Sequence, residues 1–252
     1  MSAATAATHS ATRTGSRGFV VRKGVAEGLG AAPAFLFPPD DPLAGGRRYH
    51  VSDAALRYGA GVAESGACDV SIAQMPHSEF VCVFSGQIAL HAADGRIVTL
   101  GPGDCAVVPA GARLRWVQTG KVVRSFVVFP DGADNGATDI VKIDPAAPLS
   151  PMSALPSSAL LTPPPASENR RDFAARAGKV RVGIWQATGY ARGQVTPPHC
   201  ELMCLLAGKV EIAEANGPAW TVRAGEAILL PHGATNAWRS RETVRKVFCI
   251  VS

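Results

Sequence analysis

Two His-x-Glu pairs, His77-Ser78-Glu79 and His199-Cys200-Glu201, are the residues of this chain best suited to chemistry. On an extended strand, residues two apart share a face, so each imidazole points the same way as its carboxylate. A carboxylate taken out of water must be paired or protonated, and a neighbouring imidazole serves for either. Three roles are open to each pair: an internal hydrogen-bonded couple, a contact for a small polar ligand, or part of a metal site. A protein metal site takes three or four side-chain ligands, so two residues alone do not close one.

Both pairs lie in a repeated segment. An offset of 122 residues carries His77 to His199 and Glu79 to Glu201. It also carries Cys82 to Cys204, Gly86 to Gly208, Gly103-Asp104 to Gly225-Glu226, Pro109 to Pro231, Gly111 to Gly233 and Trp116 to Trp238. No gap is needed from Pro76 to Phe129, so the chain is an internal duplication. Its 252 residues divide into two similar domains, each long enough to bury its own core. The expected division is a disordered tail over 1–17, an N-terminal domain over 18–136 and a C-terminal domain over 137–252. A Pro-, Ala- and Ser-rich lead-in over 145–165 reads as extended.

The elements that must position the pairs are short strands. Phe80-Val81-Cys82-Val83-Phe84 is a β-branched and aromatic run ending at Ser85-Gly86. Gln87 to His91 is its return, and Asp94-Gly95 is a hairpin signal. Ile97–Leu100, Ala106–Val108, Leu114–Val117 and Val122–Phe129 follow, separated by Gly-, Pro- and Asp-containing turns. With no helical stretch between them, the class is all-β, an antiparallel barrel or sandwich. The stretch from Gly18 to Gly66 reads as irregular, with an apolar run at Phe35-Leu36-Phe37 and a short strand between Arg47 and Arg57.

Composition narrows the partners. The net charge of +5 is dispersed, with no basic helix and no Lys/Arg stripe interleaved with aromatics, so no nucleic-acid partner is expected. No run reaches the roughly 18 apolar residues of a membrane span, and residues 1–18 lack the apolar stretch of a secretory signal. The expected location is the cytoplasm, with reduced thiols. The six cysteines, Cys68, Cys82, Cys105, Cys200, Cys204 and Cys249, form no CxxC pair and read as small apolar fillers in strands.

The motif pair resembles the cupin superfamily. The residues that carry the resemblance are Glu79…Gly86 with Gly103-Asp104…Pro109-Ala110-Gly111, and Glu201…Gly208 with Gly225-Glu226…Pro231-His232-Gly233. Trp116 with Arg124 and Trp238 with Lys246 narrow it to the branch resembling ethanolamine-utilisation Q-type cupins, with a looser likeness to ureidoglycine aminohydrolase, itself a bicupin. The resemblance implies two tandem cupin barrels, each a double-stranded β-helix or jelly roll. It implies that Glu79 and Glu201 face the barrel interiors.

Metal-binding cupins supply two His and a Glu from the first motif and a His from the second. This chain departs from that pattern. The first-motif His positions hold Ala73 and Met75 in one half and Val195 and Pro197 in the other. The second-motif His is replaced by Leu114 and Asn236. Asn236 would offer a third donor beside His199 and Glu201; Leu114 offers none. One divalent transition metal, manganese, iron, nickel or zinc, is therefore expected at most, in the C-terminal half. The candidate catalytic residues are Glu201 and His199. His77, Glu79, Asn236, Trp116 and Trp238 are candidate ligand contacts, the two tryptophans either at the barrel mouth or in the core.

No nucleophile elbow, phosphate loop, dinucleotide fingerprint or HExxH motif is present. Besides a purely structural or partner-binding role for the duplicated barrel, two functions remain. One is an enzyme acting on a small polar metabolite through the C-terminal barrel, metal-assisted or by acid–base chemistry. The resemblance points that enzyme to nitrogen compounds. The other is a non-catalytic small-molecule binder or vestigial cupin without metal. The fused halves are expected to form a monomer, as an intramolecular pseudo-dimer, or a homodimer.

Overall fold

The computed structural model describes residues 18–22, 24–28, 32, 41–153 and 157–252. The expected tail over 1–17 and the Phe35–Phe37 run lie outside the described residues. The first half contributes β1 (Phe19–Arg22), β2 (Val25–Glu27), β3 (Arg47–Asp53), β4 (Tyr58–Ser65), β5 (Cys68–Ile72), β6 (Ser78–Ser85), β7 (Ile88–Ala92), β8 (Ile97–Leu100), β9 (Cys105–Val108), β10 (Leu114–Gln118) and β11 (Val122–Phe129). The second contributes β12 (Val141–Lys142), β13 (Ser150–Pro151), β14 (Ser167–Ala175), β15 (Val180–Ala187), β16 (Ala191–Val195), β17 (Cys200–Ala207), β18 (Lys209–Glu214), β19 (Ala219–Arg223), β20 (Ala227–Leu230), β21 (Asn236–Arg239) and β22 (Val244–Val251). A 3₁₀ turn at Ser157–Ala159 is the one helical element among the described residues. The all-β expectation holds.

Each half is a barrel of two antiparallel sheets. In the first, the large sheet runs β12-β9-β6-β11-β4-β3 and the small one β5-β10-β7-β8. In the second they run β13-β14-β15-β22-β17-β20-β1-β2 and β16-β21-β18-β19. Alternation decides which residues go where. In β6, Val81 and Val83 point into the first barrel with Ile88, Leu90, Leu100 and Trp116. Phe80 and Cys82 point outward, into a core shared with Leu202, Cys204, Leu229 and Cys249 of the second barrel. The large sheets are thus buried on both faces, which is why β6 and β11 read as continuous apolar runs rather than alternating ones.

The halves exchange strands. β1 pairs with β20 of the second barrel, Phe19 opposite Leu229. β12 pairs with β9 of the first, Val141 opposite Val107. These are the same pairing displaced by the repeat offset of 122 residues. Strand membership therefore crosses the expected division at 136/137 in both directions. The acid of each Gly-Asp/Glu motif holds the incoming strand. Glu226 Oε1 accepts from Arg22 Nε at 3.1 Å and Asp104 Oδ2 from Lys142 Nζ at 2.9 Å. Each acid also caps its own turn, accepting from Arg223 N and Gly101 N respectively.

The region from Gly18 to Gly66, expected to be irregular, contains four strands. β4 escaped notice because its sequence, Tyr58-Gly-Ala-Gly-Val-Ala-Glu-Ser65, is poor in β-formers. The packing demands those small residues: a Cβ on Gly61 would stand 1.9 Å from the Arg48 carbonyl oxygen. The motif glycines have a similar cause. Gly86 and Gly208 both take φ +79°, and a Cβ there would stand 2.2 Å from the Lys121 and Thr243 carbonyl oxygens.

Candidate functional site

Each barrel interior is built around the same trio: a Glu from one central strand, a cation from its neighbour and a Trp from the small sheet. In the first barrel, Arg124 Nε donates to Glu79 Oε1 at 3.2 Å, and its guanidinium lies 5.2 Å from the Trp116 ring centre. In the second, Lys246 Nζ donates to Glu201 Oε1 at 2.9 Å and lies 5.3 Å from the Trp238 ring. Glu and cation lie on adjacent strands, β6 with β11 and β17 with β22. The spacing of Trp and basic residue in the sequence is therefore that of a Glu–cation–aromatic stack, in which the charge is paired on one side and laid on a π face on the other.

What surrounds the trio differs. In the first barrel, Arg47 from β3 reaches in and bonds both Glu79 and Asp41. Its side chain is fully buried, as is that of Glu79, and Asp41 is nearly so. The guanidinium also packs on Phe126, 5.3 Å from the ring centre, and lies 3.3 Å from His77 Nε2. Burial alone would raise the Glu79 pKa, but Arg47 and then Arg124 hold it below the ordinary carboxylate value. Burial lowers His77, so its imidazole is held neutral. The first barrel interior is a closed ionic cluster.

In the second barrel the residue equivalent to Arg47 is Asn169, and the space stays open. A cavity of about 750 Å³ reaches Glu201, His199, Met203 and Lys246 at its base. That is the size of an ordinary small-molecule site. Trp185, Tyr190 and Trp238 form an aromatic wall: Tyr190 stacks on Trp238, and Trp185 meets both edge-on. Lys246 Nζ lies 4.7 Å from the Trp185 ring centre. Exposed Met152, Arg171, Thr196 and Pro198 mark the entrance.

The cavity is electropositive. Arg171, Arg181, Arg192 and Lys246 line it, against one carboxylate, Glu201. Burial opposes the Glu201 charge, and Lys246 restores it, so its pKa lies below the ordinary value. Burial lowers His199, leaving a neutral imidazole near pH 7. Two buried donors in the lining, Arg181 Nε and Trp238 Nε1, have no hydrogen-bond partner among the described residues. Tyr190 is pushed up by burial to about 12, so it enters as a neutral phenol.

His199, Glu201 and Trp238 thus share one cavity. Asn236 does not join them: its Oδ1 accepts from Arg192 Nη2 at 2.7 Å, its Nδ2 donates to the Ala234 carbonyl at 2.8 Å, and it lies outside the lining. With Glu201 held by Lys246 and Asn236 by Arg192, the His199–Glu201–Asn236 set does not fit a metal ion in this arrangement. His77 and Glu79 are together but sealed, and Trp116 is fully buried in the first core. Reasoning from sequence missed Arg47, Arg181, Arg192, Trp185 and Tyr190. None has a like counterpart across the repeat, so the duplication gave no signal for them.

Comparison with known proteins agrees with this architecture. The family model for the cupin domain matches residues 66–129, and that for the EutQ-like cupin domain matches residues 174–248. The chain carries two cupin domains. A protein of unknown function from Pseudomonas syringae pv. tomato, assigned to the DUF861 family, superposes with a TM-score of 0.80 at 26% identity, covering 93% of this chain and 99% of that one. Ylba from E. coli, also DUF861, gives 0.52 at 14% identity over 91% and 92% of the two chains. A cupin 2 conserved barrel domain protein from Leptotrichia buccalis gives 0.56 at 12% identity over 81% and 87%. The last two show the fold alone. No curated protein sequence matches the chain.

Proposed function

We propose that the C-terminal barrel of this bicupin binds a small organic anion, a carboxylate with an apolar or aromatic body, and that the N-terminal barrel does not. The observation that carries this is the open cavity at Glu201 and Lys246, whose lining holds four cations against one carboxylate. Guanidinium and ammonium donors in that excess favour an anion, and charge-assisted hydrogen bonds to a carboxylate are the strong ones. The aromatic wall of Trp185, Tyr190 and Trp238 suits the ligand's body.

A second reading, acid–base catalysis on the same ligand, rests on His199. Its neutral imidazole can accept a proton, and the neighbouring Glu201–Lys246 pair can hold the resulting charge. Ureido and amino carboxylates are the substrates to try first, because the family resemblance implies nitrogen compounds.

The test is a thermal-shift screen of aromatic, aliphatic, ureido and amino carboxylates, each beside its neutral amide. A carboxylate at 100 times its dissociation constant should stabilise the protein by about 2.7 kcal/mol, and its amide much less. Equal shifts from acid and amide would rule out the anion reading. Turnover that vanishes in His199→Gln while binding persists would establish the catalytic one; bound carboxylates that are never converted would exclude it.

A further inference from the structure

We propose that Cys82, Cys105 and Cys204 bind one thiophilic d¹⁰ cation, Cu(I) or Zn(II), between the two barrels. This site is separate from the C-terminal cavity and independent of its ligand.

The geometry follows from the duplication. Cys82 on β6 and Cys204 on β17 are repeat counterparts, and both point outward from their barrels into the shared core. The pseudo-symmetry therefore sets the two thiols against each other. The third breaks the symmetry. Cys105 on β9 lies directly across the ladder from Cys82, whereas the residue across from Cys204 is Ala227. The three sulfur atoms all lie within 4.8 Å of one another, and each residue is at most 4% exposed. All six cysteines of the chain are free thiols, and only these three converge with other metal-ligating groups among the described residues.

Three thiolates at about 2.3 Å from one ion stand about 3.8–4.0 Å apart at tetrahedral or trigonal angles. The observed spread needs a contraction of at most about 1 Å, within the reach of side-chain rotation. Sulfur donors without nitrogen or oxygen select soft, thiophilic ions over magnesium or manganese. The ion also has an entry path. Cys82 and Cys204 line a second cavity, of about 560 Å³, walled by Pro102, Gly103, Ala224, Gly225 and Glu226. That cavity leaves room for a fourth, solvent-derived ligand. Since Cys82 and Cys105 come from one barrel and Cys204 from the other, a bound ion would cross-link the halves.

The test uses the full chain, reduced, stripped with chelator and kept anaerobic. It is titrated with Co(II) as a spectroscopic probe, and with Zn(II) and Cu(I) against chromophoric chelators. Mg(II) and Mn(II) serve as controls. The expected result is about one equivalent per chain, with an intense thiolate-to-cobalt charge-transfer band and a higher melting temperature. Competition between Zn(II) and Cu(I) then identifies the preferred ion. Cys105→Ala is the informative variant, because Ala227 already occupies the equivalent position in the other half. It should weaken binding by at least ~100-fold, while Cys249→Ala, a buried thiol outside the cluster, should leave it unchanged. Failure to bind either ion, or uptake unaffected by Cys105→Ala, would overturn the proposal.

Discussion

The two barrels share a trio and differ by a plug. Glu79–Arg124–Trp116 and Glu201–Lys246–Trp238 superpose through the repeat, yet one interior is a sealed ionic cluster and the other an open cavity. The difference turns on one position of the lead-in strand, Arg47 against Asn169. A guanidinium there joins Asp41, Glu79 and His77 and consumes the space a ligand would take. A short amide leaves the space open, and larger groups such as Trp185, Tyr190 and Arg192 line it instead of Ala63, Cys68 and Val70. One copy of the stack lies in a closed ionic cluster and the other at the base of an open cavity.

Breaking the plug should have the largest effect. Arg47→Ala leaves Glu79 and Asp41 as buried carboxylates with too little compensation. It should destabilise the protein by roughly 3–5 kcal/mol, read by urea unfolding. The same truncation on the other side, Asn169→Ala, should cost no more than about 0.5 kcal/mol, because it removes no buried charge pair. Glu201→Gln falls between. It strips Lys246 of its charge partner at a site with some solvent access, and should cost about 1–3 kcal/mol. Near-equal losses in Arg47→Ala and Asn169→Ala would mean that the first barrel is not held by its ionic cluster.

The pH dependence should be graded in two steps. His77 and His199 are lowered from 6.5, so below that pH the unfolded chain takes up protons that the folded chain refuses. Stability should therefore start to fall as pH drops through about 6.5. Glu79 and Glu201 are lowered from 4.5, so their contribution is complete above that value and lost as pH falls through their folded values. In Arg47→Ala the step from Glu79 should move toward higher pH, while the step from Glu201 stays. Acid unfolding followed by tryptophan fluorescence in both proteins checks this.

Much of the fold was legible because it was written twice. The Glu, the turn glycines, the Gly-Asp/Glu acid and the Trp all recur at one offset, and a single copy would have been ambiguous. The partners that distinguish the barrels were not legible for the same reason. Arg47 stands 32 residues before Glu79, and the strand that pairs with its own, β4, is built from Gly and Ala and carries little β signal. Nor does sequence reveal which barrel a lead strand joins. β1 and β12 are short strands of four and two residues, and only the assembled interface sends each to the opposite half. Cys105 was lost among fillers because its counterpart is Ala227.

The most direct test is calorimetric titration of the best-binding carboxylate into three proteins: the natural chain, Asn169→Arg and Lys246→Met. Asn169→Arg installs in the second barrel the residue that closes the first. One site per chain in the natural protein, with affinity reduced by at least ~30-fold in both variants, is the expected result. Two sites per chain, or full affinity retained in Asn169→Arg, would contradict the assignment of the ligand to the open C-terminal barrel.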